Sequence, residues 1–316
     1  MMKKSNRILI LGVGGFIGTN VFNFFINNKN YSVLGVSRIP KTDNSKTRLA
    51  FIKKVHNHNV YTYKSLNELI AKIKEFKPNT IINCVGLIFE KKYIGKYLFT
   101  NVIFPKKIIT EASKFKLKKF IHLSTIDTSI SPNIMNRHLN YYAYSKKMGD
   151  ENIRKICTDN SISYTLLKSA TVYGNYMNDD RLISQILKNI KTGKKLNIHN
   201  NSKKNFVNVE NICLLLNKEI KINSSKTLYL CSKRSFLIID FLKFVEKVLN
   251  KKINYRINNL TDKIVENIEF KSYEERYYGT KLRIVSFKDW EKINISSSIT
   301  NLYKCNQFSV SQIQSI

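Results

Sequence analysis

A chain of 316 residues, 43% of them hydrophobic, is long enough to bury a sizeable core as one large domain or two unequal ones. No apolar run approaches the roughly 18 residues that span a bilayer, and the scattered Cys84, Cys157, Cys213, Cys231 and Cys305 offer no C-x-x-C and no metal-ligand spacing. A formal charge of +32 raises a nucleic-acid reading, but the lysines are spread singly or in pairs through an Asn- and Ile-rich chain, which reads as compositional drift and not as a binding arm.

Met1-Met2-Lys3-Lys4 leads straight into the first strand and leaves no room for a removable signal peptide, and an odd number of thiols fits a reducing compartment. The expected location is the cytoplasm. The run Arg7 to Leu11 then reads as a strand, followed by glycines at 12, 15 and 18 with an extra one at 14. Thr19 to Lys29 has helical apolar spacing. Glycine is needed where the backbone turns with positive φ or must approach a ligand closely. The unpaired N–H groups and positive dipole end of the following helix suit a pyrophosphate.

Further along, Tyr31 to Ser37 reads as a second strand, Lys41 to Thr47 as a polar loop, and Val60 to Tyr63 as a third strand. Leu66 to Phe76 carries one apolar helical face and is stopped by Pro78. Thr80 to Gly86 is a fourth strand ending in small residues. A long helical region over 95–115 is expected to break near Pro105. Phe120 to Thr125, the helix Tyr142 to Cys157, and Tyr164 to Lys168 complete the alternation. This order predicts an α/β fold, a Rossmann-like doubly wound parallel sheet covered on both faces, with ligands at the carboxyl ends of the strands. Past Gly174 the pattern loosens: helix at Arg181 to Lys191, strand into helix at Phe206 to Ile212, strand at Thr227 to Cys231, helix at Ile238 to Leu249, then a polar tail of mixed structure. The expected organisation is a dinucleotide-binding domain over 1–174, completed by 205–232, with a smaller substrate-binding part from 175–204 and 233–316.

Three stretches carry candidate chemistry. Tyr142 and Lys146 in Tyr142-Ala143-Tyr144-Ser145-Lys146 project from one helix face. An ammonium beside a phenol of pKa about 10 favours the phenolate and makes a usable acid or base. Ser124-Thr125 ends the fifth strand, where a hydroxyl can bond a substrate oxygen or simply cap the backbone. Lys168 to Gly174 is a strand running into a turn. Taken singly, each has an ordinary structural reading, since a chain with 17 tyrosines and so many lysines produces Y-x-x-x-K by chance.

Together, in this order, they resemble the extended short-chain dehydrogenase/reductase superfamily, in its NAD-dependent epimerase/dehydratase, nucleotide-sugar branch. The resemblance covers nearly the whole chain, including Phe206 to Ile212 and a C-terminal tryptophan, Trp290, followed by a short helix. It implies that Gly12, Gly15 and Gly18, with Phe16 and Ile17 between them, cradle the cofactor pyrophosphate, and that Gly86 lies beside the nicotinamide ribose. Thr125 would polarise the substrate, Tyr142 exchange its proton, Lys146 hold the ribose and depress the tyrosine pKa, and Ser169 meet the carboxamide through its backbone. Asn101 matches a helix asparagine common in the family. Where NAD enzymes place an acid after the second strand, this chain has Ser37-Arg38, with Lys41 following, so Arg38 leans the cofactor expectation to NADP over NAD.

Several positions depart from the family pattern. Thr128-Ser129-Ile130 replaces V-Y-G, Tyr142 follows Thr125 by only 17 positions, Tyr63-Lys64 stands for an acid, Lys168 for an arginine, and Glu210-Asn211 for the later acid. The first three, which touch the substrate and adenine sites, speak against a standard UDP-glucose 4-epimerase, and the lack of an acidic pair beside Thr125 speaks against a dehydratase. The expectation is an epimerase or reductase of a nucleotide-linked sugar, in polysaccharide biosynthesis, with no metal, no nucleic-acid partner and no membrane span. A homodimer, a reductase of another small carbonyl compound, and a non-catalytic NADPH-binding accessory subunit resembling that of respiratory complex I stay open.

Overall fold

The apolar run near the start of the chain forms β1 (Asn6–Leu11), and Ile8, Leu9, Ile10 and Leu11 are all fully buried. Such burial on both faces is what a central parallel strand requires. It pairs in parallel with β2 (Tyr31–Arg38) on one side and β4 (Thr80–Asn83) on the other, and the sheet continues to β3 (Val60–Tyr63) beyond β2 and β5 (Lys119–Thr125) beyond β4. With β6 (Ser163–Ser169) and β10 (Lys226–Leu230) the order is β10-β6-β5-β4-β1-β2-β3. This is a Rossmann-like doubly wound sheet, its strand order reversing between β1 and β4, where ligands sit in such folds. The structure is a computed structural model that describes residues 6–88, 94–129, 137–199, 201–232, 235–258 and 295–305, without the side chains of 137–140 and 305.

The helices α1 (Phe16–Ile26), α3 (Leu66–Phe76) and α6 (Arg137–Asp159) fall where apolar spacing places them. One reading needs correction. The polar stretch over 41–47 is not a loop: Thr42 caps α2 (Asp43–His56) by accepting the Ser45 N–H, and the helix buries a narrow stripe of Arg48, Leu49 and Ile52. A stripe that thin, among lysines and asparagines, leaves little periodic signal. The 95–115 region is helical with an interruption near Pro105, as the spacing predicts. α4 (Gly95–Leu98) passes through a π-turn at Phe99–Ile103 into α5 (Phe104–Ser113), whose first turn holds Pro105. Proline offers no N–H to the carbonyl four residues back, and the wider turn accommodates the loss.

The chain divides into two compact units, Met1–Lys168 with Cys213–Tyr229, and Ser169–Ile212 with Leu230–Ile316. In the second, α7 (Leu182–Thr192) leads into β8 (Leu196–Ile198), and β9 (Lys203–Asn208) pairs in parallel with β7 (Thr171–Tyr173) and antiparallel with β11 (Ser235–Leu237). Its core gathers Phe206, Phe236 and the Phe241 ring of α9 (Ile238–Leu249). Asn208 caps α8 (Val209–Glu219) by accepting the Glu210 N–H at 2.7 Å, while its amide donates to Ser298 of α10 (Ile295–Cys305). α10 is the short helix expected after Trp290, which lies outside the described residues. No helix among the described residues is long and apolar enough to cross a membrane.

Candidate cofactor and catalytic site

The turn between β1 and α1 is shaped by its glycines. Gly12 has φ +84° and donates its N–H to Val36 O at 2.8 Å, and Gly15 N–H returns to Gly12 O at 2.9 Å. A Cβ on Gly18 would stand 2.1 Å from Gly12 O, so only glycine lets the first turn of α1 press against the loop. A Cβ on Gly12 would stand 3.0 Å from Val85 Cγ2, which places the loop against the exit of β4. Phe16, Ile17 and Gly18 open the helix, and their N–H groups precede its first internal bonds. No side chain caps that start and no acid lies in the first turn. An open, uncapped helix start beside a glycine turn is what an anionic pyrophosphate fits, so the residues present are compatible with a dinucleotide.

Across the exit of β4, Gly86 meets the centre of α6. Lys146 Nζ donates to Leu123 O at 2.9 Å and lies 2.9 Å from where a Gly86 Cβ would stand. Asn101, in the π-turn, accepts the Leu87 N–H at 3.0 Å and donates to Leu87 O at 3.1 Å and to Ser145 Oγ at 2.9 Å. Ser145 in turn donates to the Tyr142 carbonyl at 2.8 Å. Thus Gly86, Asn101 and Lys146 converge, with Tyr142 one turn before Lys146 on the same helix. Lys146 is buried, and burial pulls its pKa down to about 8 against the opposing pull of Asp150 and Cys84.

Thr125 ends β5, donating to Asp127 Oδ2 at 2.7 Å and accepting the Asp127 N–H at 3.2 Å. Arg38 is exposed at the end of β2, in register with Tyr63; burial pushes that phenol up to about 12 while the guanidinium pulls it down. Ser169 closes β6 and is assigned to the second unit. Among the described residues no group of histidine, cysteine or acidic side chains is placed to hold a metal.

Two residues overlooked in the sequence, Asp150 and His122, lie behind Lys146. Asp150, His122 and Ser124 are buried together with Lys168: Ser124 Oγ donates to Asp150 Oδ2 at 2.9 Å, and Lys168 Nζ stands 3.5 Å from the same oxygen. A histidine inside the apolar run of β5 and an acid one turn past Lys146 were the available signals.

A model of the NAD dependent epimerase/dehydratase family matches residues 8–217. An uncharacterised protein of Methanocaldococcus jannaschii is 20% identical over 302 residues, covering 89% of this chain and 93% of its own. Among solved structures, the Bacillus cereus UDP-glucuronic acid 4-epimerase in complex with NAD superposes with a TM-score of 0.71 at 16% identity, covering 98% of this chain and 96% of its own. The Thermotoga maritima UDP-glucose 4-epimerase with UDP-glucose gives 0.72 at 16% identity, covering 98% and 99%. At such identities the superpositions establish a shared fold, and the family model, matching about two thirds of the residues, goes further. With the glycine turn after β1, the sheet order and the Y-x-x-x-K helix, this chain belongs to the NAD dependent epimerase/dehydratase family.

Proposed function

We propose that this protein is an NAD(P)-dependent epimerase or reductase of a nucleotide-linked sugar, working in the cytoplasm with Thr125, Tyr142 and Lys146 as its catalytic set. The observation that carries this reading is the clamp on Lys146: Leu123 O holds its Nζ against Gly86, beside Asn101 and one helical turn from Tyr142. Gly12, Gly15, Phe16, Ile17 and Gly18 would hold the pyrophosphate, Gly86 and Lys146 the ribose, and Ser169 the carboxamide. When bound, the nicotinamide supplies a hydride acceptor and donor. The chain supplies the proton chemistry: the Lys146 ammonium favours the Tyr142 phenolate, which takes the proton of a sugar hydroxyl and later returns it. Thr125 orients that hydroxyl. Asp127 is engaged with Thr125, and no second acid adjoins it in sequence, which favours epimerisation or reduction over dehydration.

The exposed Arg38 in place of an acid favours NADP, since a guanidinium complements a 2′-phosphate. The domain 1–174, completed by 205–232, binds the cofactor in this reading, and 175–204 with 233–316 supplies sugar specificity. A homodimer is favoured by an exposed apolar stripe, Ile94, Leu98, Phe99 and Ile103, on the helical segment that packs against α6, a helix that itself exposes Tyr144. The test is incubation with a panel of UDP- and dTDP-linked sugars, following cofactor absorbance and the sugar product. Epimerised or reduced product is expected with at least one. Cofactor binding without turnover of any of them would refute the reading and favour the accessory-subunit alternative.

A further inference from the structure

The cluster behind Lys146 has a geometry that a plain salt bridge does not explain. Asp150 lies one turn beyond Lys146 on α6, as Lys146 lies one turn beyond Tyr142, so the three share a helix face. Ser124 and Lys168 engage Oδ2 of Asp150. Oδ1 has no hydrogen-bond partner, and His122 Nε2 faces it from 4.0 Å, also without one. The histidine's protonation follows from its neighbours. Asn83 Oδ1 accepts the Val85 N–H at 3.0 Å, which turns the Asn83 amide nitrogen to His122 Nδ1 at 2.9 Å. Nδ1 therefore accepts, and the ring is neutral with its proton on Nε2, in keeping with a pKa held well below the ordinary value by burial and by Lys146. His122 thus brings no charge, and although burial pushes the Asp150 carboxyl up, Lys168, the Ser124 hydrogen bond and Lys146 all favour its ionised form.

We propose that Asp150 is a positioning residue for the reaction: its buried carboxylate, fixed by Ser124 and Lys168, keeps Lys146 an ammonium ion beside Gly86 and so keeps the Tyr142 proton mobile. This rests on the assignment of Tyr142 and Lys146 under the proposed function. The groups around them are Lys168 from β6, neutral His122 from β5, the Cys84 thiol after β4, and Lys147 and Arg154 of α6, which act on Lys168. Of these, Asp150 opposes the effect of burial on Lys146 most strongly. Phenolate with ammonium and phenol with amine carry the same number of protons, so surrounding charge decides between them. Removing the carboxylate favours the amine and withdraws the phenolate. At low pH the ammonium persists whichever residue stands at 150, so the loss must grow with pH.

The experiment compares the full-length wild type with Asp150→Asn and Asp150→Glu. One arm measures kcat and KM against pH. The other measures phenolate absorbance against pH, with Tyr142→Phe subtracted to isolate that one tyrosine, and needs no turnover. In Asp150→Asn, kcat is expected near wild type at about pH 6 and about tenfold or more lower above about pH 8, with KM little changed and the phenolate midpoint raised by about one unit or more. Asp150→Glu restores both. A loss equal at every pH, or an unmoved midpoint, overturns the proposal while leaving the proposed function standing. A raised midpoint in an enzyme that turns over no sugar supports it and refutes the function. Should Asp150→Asn not fold, Ser124→Ala decides: with one of the two groups that fix the carboxylate removed, the midpoint is expected to rise, and an unmoved midpoint overturns the proposal.

Discussion

Gly149 faces the π-turn, and replacing it with alanine tests whether that contact sets the site. A Cβ there would stand 2.2 Å from the backbone oxygen of Asn101, roughly 1 Å inside ordinary contact. Pro105 sits four residues after Asn101 and cannot offer that carbonyl an α-helical N–H, and the carbonyl abuts α6 within the π-turn. Neither partner yields easily, because one is main chain and the other a helix packed on β5. Alanine gains about 1 kcal/mol of helix propensity over glycine, while overpacking costs about 1–3 kcal/mol. A clash with backbone belongs at the upper end, leaving a net loss of about 1–2 kcal/mol and a melting temperature lower by roughly 2–8 °C. Because Asn101 bonds Leu87 and Ser145, a retreat of about 1 Å also displaces the site, at a cost of up to about 100-fold in kcat. Gly95→Ala is the control: nothing lies within 4 Å of its Cβ, and stability is expected unchanged or higher. Calorimetry and steady-state kinetics read both effects. A Gly149→Ala variant with wild-type melting and kcat would refute the reasoning.

Tyr142→Phe is expected to abolish turnover while leaving the cofactor dissociation constant nearly intact by titration calorimetry; surviving activity removes the catalytic assignment. NADPH should bind more tightly than NADH, and Arg38→Ala should cut that preference about tenfold or more, the scale of a charge-assisted hydrogen bond; equal wild-type affinities would point to NAD. For stability against pH, Lys146 and Lys119 are pulled down to about 8 by burial, so between about 8 and 10.4 the unfolded chain binds more protons and their contribution rises with pH. Cys84 and Cys157, pushed up to about 12 by burial, work oppositely, because the unfolded thiols lose their protons from near 9.0 upward. A Cys84→Ala, Cys157→Ala variant should therefore show a urea midpoint that climbs more steeply from about pH 8 to 10 than the wild type does; a profile parallel to the wild type contradicts the burial of the thiols, and a falling variant profile contradicts that of the lysines.

The order of elements was legible along the first half of the chain because buried parallel strands must be continuously apolar and the helices covering them must carry one apolar stripe. The strand run into Gly12, Gly15 and Gly18 and the pair Tyr142 and Lys146 therefore announced themselves. α2 did not, since three buried residues in a polar helix leave almost no period to read. The interruption near Pro105 was legible from the proline, but its form, a π-turn lying against Gly149 far along the chain, was not.

The sequence by itself determined the sheet, the glycine turn after its first strand and the helix that carries Tyr142, all of which follow from local spacing. Only the tertiary structure decided which polar side chains meet: Lys146 against Gly86 and Leu123, Asn101 against Ser145, and Asp150 between Ser124 and Lys168. The reason is physical. Burial forces charged and polar groups to find partners wherever the packed elements bring them, and those partners lie on different strands and helices whose separation in sequence carries no trace of the contact.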